Sequence, residues 1–102
     1  MLHLRYGGNM YVILVYDISL ENKREGSRVL NNVYKICKKY LHHIQNSVFE
    51  GDIDESGLVK LAKELKCWLR ENDSCIVFRS QNKKWLKKEF LIAQKDQTDN
   101  FI

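Results

Sequence analysis

Asp17 is the side chain whose chemical type and position best suit chemistry on phosphate. It follows the continuously apolar run Tyr11–Tyr16, which predicts a central strand covered on both faces. In folds that combine strands and helices, ligands often bind at the carboxyl ends of such strands. Mg²⁺ takes one or two protein carboxylates together with water and substrate phosphate, so Asp17 is a candidate metal ligand. The alternative is that Asp17 only ends the strand and accepts a hydrogen bond in a turn.

One carboxylate per chain makes an incomplete metal site, and a homodimer would complete it. An isologous two-fold contact duplicates any residue near its axis, so two copies of Asp17 could meet there. The two carboxylates would repel each other and would be held together by a cation between them. One shared Mg²⁺ would then polarise a phosphoryl oxygen and lower the pKa of a bound water. The sequence permits this arrangement and does not require it.

Basic side chains offer the phosphate contacts that a nucleic-acid partner needs. Arg24 and Arg28 lie one turn apart near the start of the first predicted helix, and Lys38 and Lys39 lie near its end. Arginine binds phosphate oxygens in pairs, and each neutralised phosphate releases counterions. A second basic cluster contains four lysines between positions 83 and 88. The alternative is that these residues form a solvated face that keeps a small protein in solution.

Histidines, cysteines and glycines can also serve catalysis or ligand binding, but in this sequence they do not have the spacing of the known motifs. His42 and His43 are adjacent and have no partner at zinc-binding spacing, which predicts surface or helix-end histidines. Cys37, Cys67 and Cys75 are scattered without a Cys-x-x-Cys pair, which predicts buried thiols in a reducing compartment. The sequence contains no Gly-x-Ser-x-Gly elbow, no phosphate-binding glycine loop and no base-stacking RNA-recognition motif.

The totals indicate one globular domain. Of the 102 residues 44% are apolar and 29% are charged, which argues against disorder throughout. The 17 basic and 13 acidic residues give a net charge of +4, which is compatible with a polyanionic partner. No apolar run approaches the roughly 18 residues of a membrane span, so we expect no membrane partner, and the scattered cysteines indicate a cytoplasmic protein. Met1–Asn9 lacks the apolar core of a signal peptide, and we interpret it as a leader or tag outside the fold.

The elements that must position these residues alternate between strands and amphipathic helices. Asn22 and Glu25 have the spacing of a capping box and predict that the first helix begins near Lys23. The apolar stripe of that helix contains Val29, Leu30, Val33, Cys37, Tyr40 and Leu41. The predicted order is strand Tyr11–Tyr16, the first helix, strand Ile44–Phe49, a second helix after Asp54–Ser56, strand Cys75–Phe78 and strand Glu89–Ala93. Asn72–Asp73 breaks the second helix.

An α+β sandwich with two helices on one face of an antiparallel sheet fits these elements best. A strict ferredoxin-like order would place two strands between the helices. The span Ile44–Ile53 has ten residues, which is short for a full hairpin. Periodicity alone leaves the order of the strands open.

Three segments resemble the second CRISPR-associated protein family: Met10–Ile18, Ile44–Gly51 and the ending Asp99–Ile102. Their order and spacing match from Met10 to the end, and Arg24 follows the aspartate by seven residues as a basic residue does in that family. The resemblance implies a ferredoxin-like homodimer over residues 10–102. It also implies that Ile44–Ile53 is one long bent strand and that residues 94–102 add a strand to the partner's sheet.

The resemblance further implies a role in CRISPR adaptation, in which a dimer binds nucleic acid and bridges copies of a larger integrase. Several members of the family are described as metal-dependent endonucleases on RNA or duplex DNA. By motif, Asp17 matches the metal-binding aspartate, and Tyr16 lies beside it as a second catalytic candidate. The implied nucleic-acid-binding set is Arg24, Arg28, Lys38, Lys39, His43, Ser47 and Phe49. His43 stands where the family often has arginine, which weakens a phosphate-clamping role at that position.

Three functions follow from these observations. The first is a dimeric Mg²⁺-dependent endonuclease of the adaptation machinery. The second is a non-catalytic DNA-binding scaffold that bridges integrase subunits, which needs the basic helix face and no metal. The third is a toxin-like ribonuclease on the same fold. The sequence does not identify the substrate among RNA and duplex DNA.

Overall fold

The computed structural model of the chain describes residues 9–81 together with Glu89 and Leu91. Most of the expected leader, the second lysine cluster, most of the expected strand Glu89–Ala93 and the expected dimerisation segment 94–102 lie outside the described residues.

Two helices and four strands of the described residues form the split β-α-β arrangement of a ferredoxin-like fold. They are β1 (Met10–Asp17), α1 (Lys23–Tyr40), β2 (His42–Gln45), β3 (Val48–Ile53), α2 (Glu55–Lys66) and β4 (Ser74–Ser80). The strand order across the sheet is β2-β3-β1-β4, and every neighbouring pair is antiparallel. The predicted fold class, two helices on an antiparallel sheet, is confirmed.

β1 is a central strand whose two faces have different surroundings. Val12, Leu14 and Tyr16 belong to the core that the sheet shares with α1 and α2. Ile13 and Val15 alternate with them and are half-buried on the opposite face, which the described helices do not cover. The expectation that both faces of β1 are covered is therefore wrong for the described part of one chain.

The start of α1 follows the predicted cap. Asn22 has an extended backbone, and its side-chain oxygen accepts a hydrogen bond of 3.1 Å from the backbone N–H of Glu25. The helix begins at Lys23, as predicted. Its buried stripe contains Val29 and Val33, whereas Leu30, which we expected in that stripe, is 37% exposed.

The segment between the two helices is a hairpin, not one long bent strand. β2 pairs with β3 so that His43 lies opposite Phe49, and the chain reverses at Asn46. Asn46 has φ = 43°, a left-handed conformation that asparagine tolerates better than most residues. β2 also begins earlier than expected, because Leu41 already has an extended backbone at the end of α1. Our expectations for Ile44–Ile53 were therefore wrong.

α2 begins at Glu55, where Asp54 caps it by accepting a hydrogen bond of 2.7 Å from the backbone N–H of Gly57.

The prediction that all three cysteines are buried is partly wrong, because Cys67 is exposed whereas Cys37 is buried and Cys75 half-buried. Neither described helix has the length and apolar character needed to cross a lipid bilayer.

The left-handed turn at Asn46 provides a test of the hairpin. A β-branched residue there must adopt a conformation that costs about 1–2 kcal/mol, so Asn46→Val should lower the free energy of unfolding by that amount. Asn46→Gly, which adopts the same φ without a Cβ clash, should stay near the wild-type value. Urea denaturation of the three proteins measures both effects. Equal stability of the valine and glycine variants would contradict the hairpin.

Candidate metal site and nucleic-acid interface

Asp17 is exposed at the end of β1, where it lies opposite Ser74 in the register with β4. It belongs to the face of the sheet that the described helices leave open, because it alternates with Tyr16, which faces the core. The two neighbouring candidates of the sequence therefore point to opposite faces of the sheet. Within one chain, the side chains of Tyr16 and Asp17 therefore do not face each other.

Tyr16 is a buried residue at the base of a cleft. It is 3% exposed, and its ring centroid lies 6.0 Å from that of Phe49. Burial is the main cause that raises the pKa of the Tyr16 phenol far above its usual value, so the hydroxyl keeps its proton at neutral pH. The cleft has a volume of about 480 Å³ and lies between α1 and the β2–β3 turn. Its lining residues are Tyr16, Leu30, Asn31, Tyr34, Asn46 and Ser47.

His43 and Phe49 support the β2–β3 turn. The rings of His43, Tyr34 and Phe49 form a three-way contact, in which the His43 centroid lies 5.1 Å from that of Tyr34 and 4.9 Å from that of Phe49. The Nε2 atom of His43 lies 2.8 Å from the carbonyl oxygen of Asn46, a bond that requires the proton on Nε2. Phe49 is fully buried, so in the folded chain it cannot stack on a base. The structure thus brings Ser47, His43 and Phe49 together, with Ser47 at the cleft and Phe49 beneath it.

The basic residues of α1 are divided between two sides of the helix. The guanidinium carbon of Arg28 lies 5.4 Å from the ring centroid of Trp68, beyond the end of α2. Lys39 forms an ion pair with Glu64 of α2. Lys38 lies on the other side, with its ammonium 5.8 Å from the ring centroid of Tyr34.

Arg24 is exposed in the first turn of α1, at the end of the loop that leaves Asp17. Part of the basic face of α1 therefore contacts other elements of the chain, since Lys39 pairs with Glu64 of α2 and Arg28 contacts Trp68 beyond it. The hydrogen bonds from Lys39 and Tyr40 lower the pKa of the Glu64 carboxyl.

An ion pair between Arg70 and Asp73, which sequence reasoning missed, holds the loop after Asp17. Arg70 Nε and Nη2 donate to the two carboxylate oxygens of Asp73 at 2.9 Å and 3.0 Å. The backbone N–H of Ser19 donates to the same carboxylate at 2.8 Å. The hydrogen bonds from Arg70 are the main cause that lowers the pKa of the Asp73 carboxyl. The sequence signal was the Arg-x-x-Asp spacing, but we had interpreted Asp73 only as a helix breaker.

Asp17 can supply one of the oxygen ligands that Mg²⁺ requires. Among the described residues there is no group of three or more histidine, cysteine, aspartate or glutamate side chains that could hold a metal ion. Asp17 offers one exposed carboxylate, a hard oxygen donor of the kind that Mg²⁺ prefers. Water and substrate phosphate, with or without a second carboxylate, would supply the other positions.

Comparisons with known proteins identify the family. The family model described as CRISPR associated protein Cas2 matches residues 10–88. The chain belongs to the Cas2 family. A relative named CRISPR-associated endoribonuclease Cas2, from Fusobacterium nucleatum subsp. nucleatum, is 50% identical over 97 residues, which cover 94% of this chain and 90% of the relative. The resemblance inferred from the sequence is confirmed.

Solved Cas2 structures share the fold. A structure described as the crystal structure of cas2 has a TM-score of 0.71 and 32% identity, and the match covers 86% of this chain and 91% of that one. The crystal structure of Streptococcus pyogenes Cas2 at pH 6.5 has a TM-score of 0.66 and 27% identity, over 79% of this chain and 100% of that one. The ferredoxin-like arrangement around Asp17 is thus that of Cas2 proteins.

The ion pair of Asp73 predicts a specific dependence of stability on pH. Because the folded-state pKa of Asp73 is lowered, its charge stabilises the fold above the unfolded-state value of about 3.9, and this contribution is lost as the pH falls through the folded-state value. Asp73→Asn should therefore be less stable than wild type at pH 7, by an amount that shrinks below pH ~4.

Urea denaturation at a series of pH values measures that difference. Glu55→Gln, which breaks the exposed pair with Arg79, is the matched control and should change stability little. A difference between wild type and Asp73→Asn that stays constant down to acid pH would contradict the assignment.

Proposed function

We propose that this Cas2-family protein is a dimeric, Mg²⁺-dependent endonuclease of CRISPR adaptation that cleaves phosphodiester bonds of RNA, with duplex DNA as the alternative substrate. The observation that supports it most directly is the exposed carboxylate of Asp17 at the end of β1, on the face of the sheet without described helices. The names of its relatives, among them the endoribonuclease from Fusobacterium nucleatum, favour RNA. We also propose a cytoplasmic location and a CRISPR-associated integrase as protein partner.

The open face of the sheet supports a homodimer. Ile76 and Phe78 of β4 point to this face and are 52% and 56% exposed. They lie opposite Val15 and Ile13 in the register with β1, and Val48 lies opposite Val15 on the other side. These five side chains are the apolar sheet face. A contiguous apolar surface of this kind favours association, and a two-fold copy of the same face would bury it.

Dimerisation through the apolar sheet face would bring together two copies of Asp17, which lies on the same face. This accounts for the single carboxylate per chain, because each subunit would supply half of the protein ligands. A bound Mg²⁺ would supply Lewis acidity toward a phosphoryl oxygen and a water of lowered pKa. Asp17 would bind the ion through its carboxylate, and the exposed guanidinium of Arg24 would bind a flanking phosphate.

The cleft at Tyr16 gives the other candidates a role in substrate binding. The protonated phenol of Tyr16 and the hydroxyl of Ser47 both belong to residues that line it. The cleft adjoins the end of β1, since the backbone N–H of Tyr16 donates to the carbonyl of Ser47 at 3.1 Å. We therefore assign Tyr16 and Ser47 to contacts with the nucleotide chain rather than to proton transfer at the metal. His43 contributes by supporting the turn that holds Ser47.

Asp17→Asn tests the metal-dependent activity. Loss of the carboxylate removes charge stabilisation worth several kcal/mol, so the rate of Mg²⁺-dependent RNA cleavage should fall by at least about a hundredfold. RNA binding in the absence of Mg²⁺ should stay within about twofold of wild type, because the phosphate contacts come from basic residues. A gel-based cleavage assay and fluorescence anisotropy measure the two quantities.

Asp52→Asn is the matched control for this experiment. Asp52 is also an exposed aspartate on a strand, but it pairs with Tyr11 at the opposite end of β1. Its substitution should leave cleavage unchanged. Cleavage that persists in Asp17→Asn would refute the catalytic proposal, and binding without cleavage in the wild type would favour the scaffold.

The proposed dimer is tested by a charge on the apolar sheet face. Phe78→Lys would place an ammonium in the buried contact, so the mass measured by light scattering should fall from two chains to one. RNA cleavage should be lost in parallel. Val59→Lys is the control, because Val59 is similarly exposed but lies on α2. A wild-type protein that is monomeric at micromolar concentration would contradict the proposal.

A further inference from the structure

We propose that Arg70 and Asp73 are positioning residues for Asp17, because their ion pair holds both chain segments that flank the end of β1. This inference rests on the proposed metal site. Neither side chain belongs to the residues proposed to contact the substrate. Arg70 and Asp73 would position the carboxylate of Asp17 by fixing the backbone on either side of it.

The first segment is the loop that leaves β1. Both polar groups of the Ser19 backbone are bound to the ion pair, the N–H by Asp73 Oδ1 at 2.8 Å and the carbonyl by Arg70 Nη2 at 2.9 Å. Ile18, between Ser19 and Asp17, is buried in the core. The chain is therefore anchored at each of the two residues that follow Asp17.

The second segment is the start of β4. Asp73 directly precedes Ser74, the residue opposite Asp17 in the sheet. The Asp73 carboxylate also accepts the backbone N–H of Arg70 at 2.8 Å, which closes the turn before β4. One carboxylate therefore fixes the loop after Asp17 and the strand end beside it.

The guanidinium of Arg70 connects this assembly to α1. Nη1 donates to Glu25 at 3.1 Å, in the first turn of that helix and next to Arg24. The four hydrogen bonds from the side chain of Arg70 reach Asp73, Ser19 and Glu25 in a planar fork. Lysine, with one tetrahedral ammonium, cannot reproduce that geometry.

Burial and charge distinguish this pair from the other ion pairs of the described residues. The side chain of Asp73 is 0% exposed, whereas both partners of Arg79–Glu55 are more than half exposed. A buried carboxylate is costly without its partners, so Asp73 holds its neighbours in one arrangement. Two carboxylates, Asp73 and Glu25, surround the single charge of Arg70. The positive charge of Arg70 is therefore neutralised and would not repel a metal ion at Asp17.

The test uses Arg70→Lys, a conservative change, in the full-length protein. Mg²⁺ is titrated and followed by the amide NMR signals of Asp17 and Ser74. Substitutions that disturb the support of a metal ligand commonly cost 10–100-fold in affinity, so the apparent Kd should rise by at least about tenfold. RNA cleavage should be slow at low Mg²⁺ and return to near the wild-type rate at saturating Mg²⁺, which a general loss of structure would not produce.

Glu64→Gln is the matched control, since it breaks the contacts of Glu64 with Lys39 and Tyr40 between the helices and leaves the Asp17 loop unchanged. It should bind Mg²⁺ as the wild type does. If Arg70→Lys also binds Mg²⁺ with wild-type affinity while Asp17→Asn does not, the positioning role is refuted and the metal site stands. If Asp17→Asn leaves Mg²⁺ binding unchanged, the metal site itself is refuted.

A second measurement needs no variant. Because the Ser19 N–H is bound to a buried carboxylate, its hydrogen exchange in the wild type should be as slow as that of the β1 amides. Fast exchange at Ser19 would refute the anchoring of the loop, whatever the folding behaviour of the Arg70 variant.

Discussion

The alternation of side chains at the end of β1 is the constraint on which the other features depend. Tyr16 and Asp17 are neighbours in a strand, so one must face the helices and the other the open face. On the helix side, Tyr16 packs against Phe49 and lines the cleft that the β2–β3 turn closes. On the open side, the carboxylate of Asp17 shares a face with exposed apolar residues such as Phe78. The end of β1 thus places the proposed substrate-contacting residue Tyr16 and the proposed metal ligand Asp17 on opposite faces of the sheet.

The apolar residues on both faces of β1 also need an explanation. A strand with one face toward water would alternate between apolar and polar residues, but β1 is apolar throughout until Asp17. Within the described part of one chain, the helices account for only half of that pattern. A second copy of the sheet face would account for the other half, and it would also pair the single carboxylate that each chain supplies. The Arg70–Asp73 ion pair would then serve the proposed shared metal by holding the Asp17 ligand of each chain in place.

The sequence predicted the features that depend on local patterns. The central strand, Asp17 at its end and the Asn22 cap of α1 all follow from residue type and short spacing, and the structure has them in these places. The hairpin was missed because it depends on the single left-handed residue Asn46, which no periodicity reveals. Phe49 was included in the nucleic-acid-binding set although it is fully buried, because burial is set by contacts with distant elements that the sequence pattern does not show. The contact of Asp73 with Ser19 joins residues 54 positions apart and is a property of the fold.

The most direct test of this account is the stoichiometry of metal binding. Mn²⁺, which can replace Mg²⁺ at oxygen ligands and is detected by electron paramagnetic resonance, is titrated into the wild-type protein and Asp17→Asn. The account predicts one ion bound for every two chains in the wild type and no ion at that site in the variant. One ion per chain, or equal binding by both proteins, would contradict the claim that two copies of Asp17 share a metal.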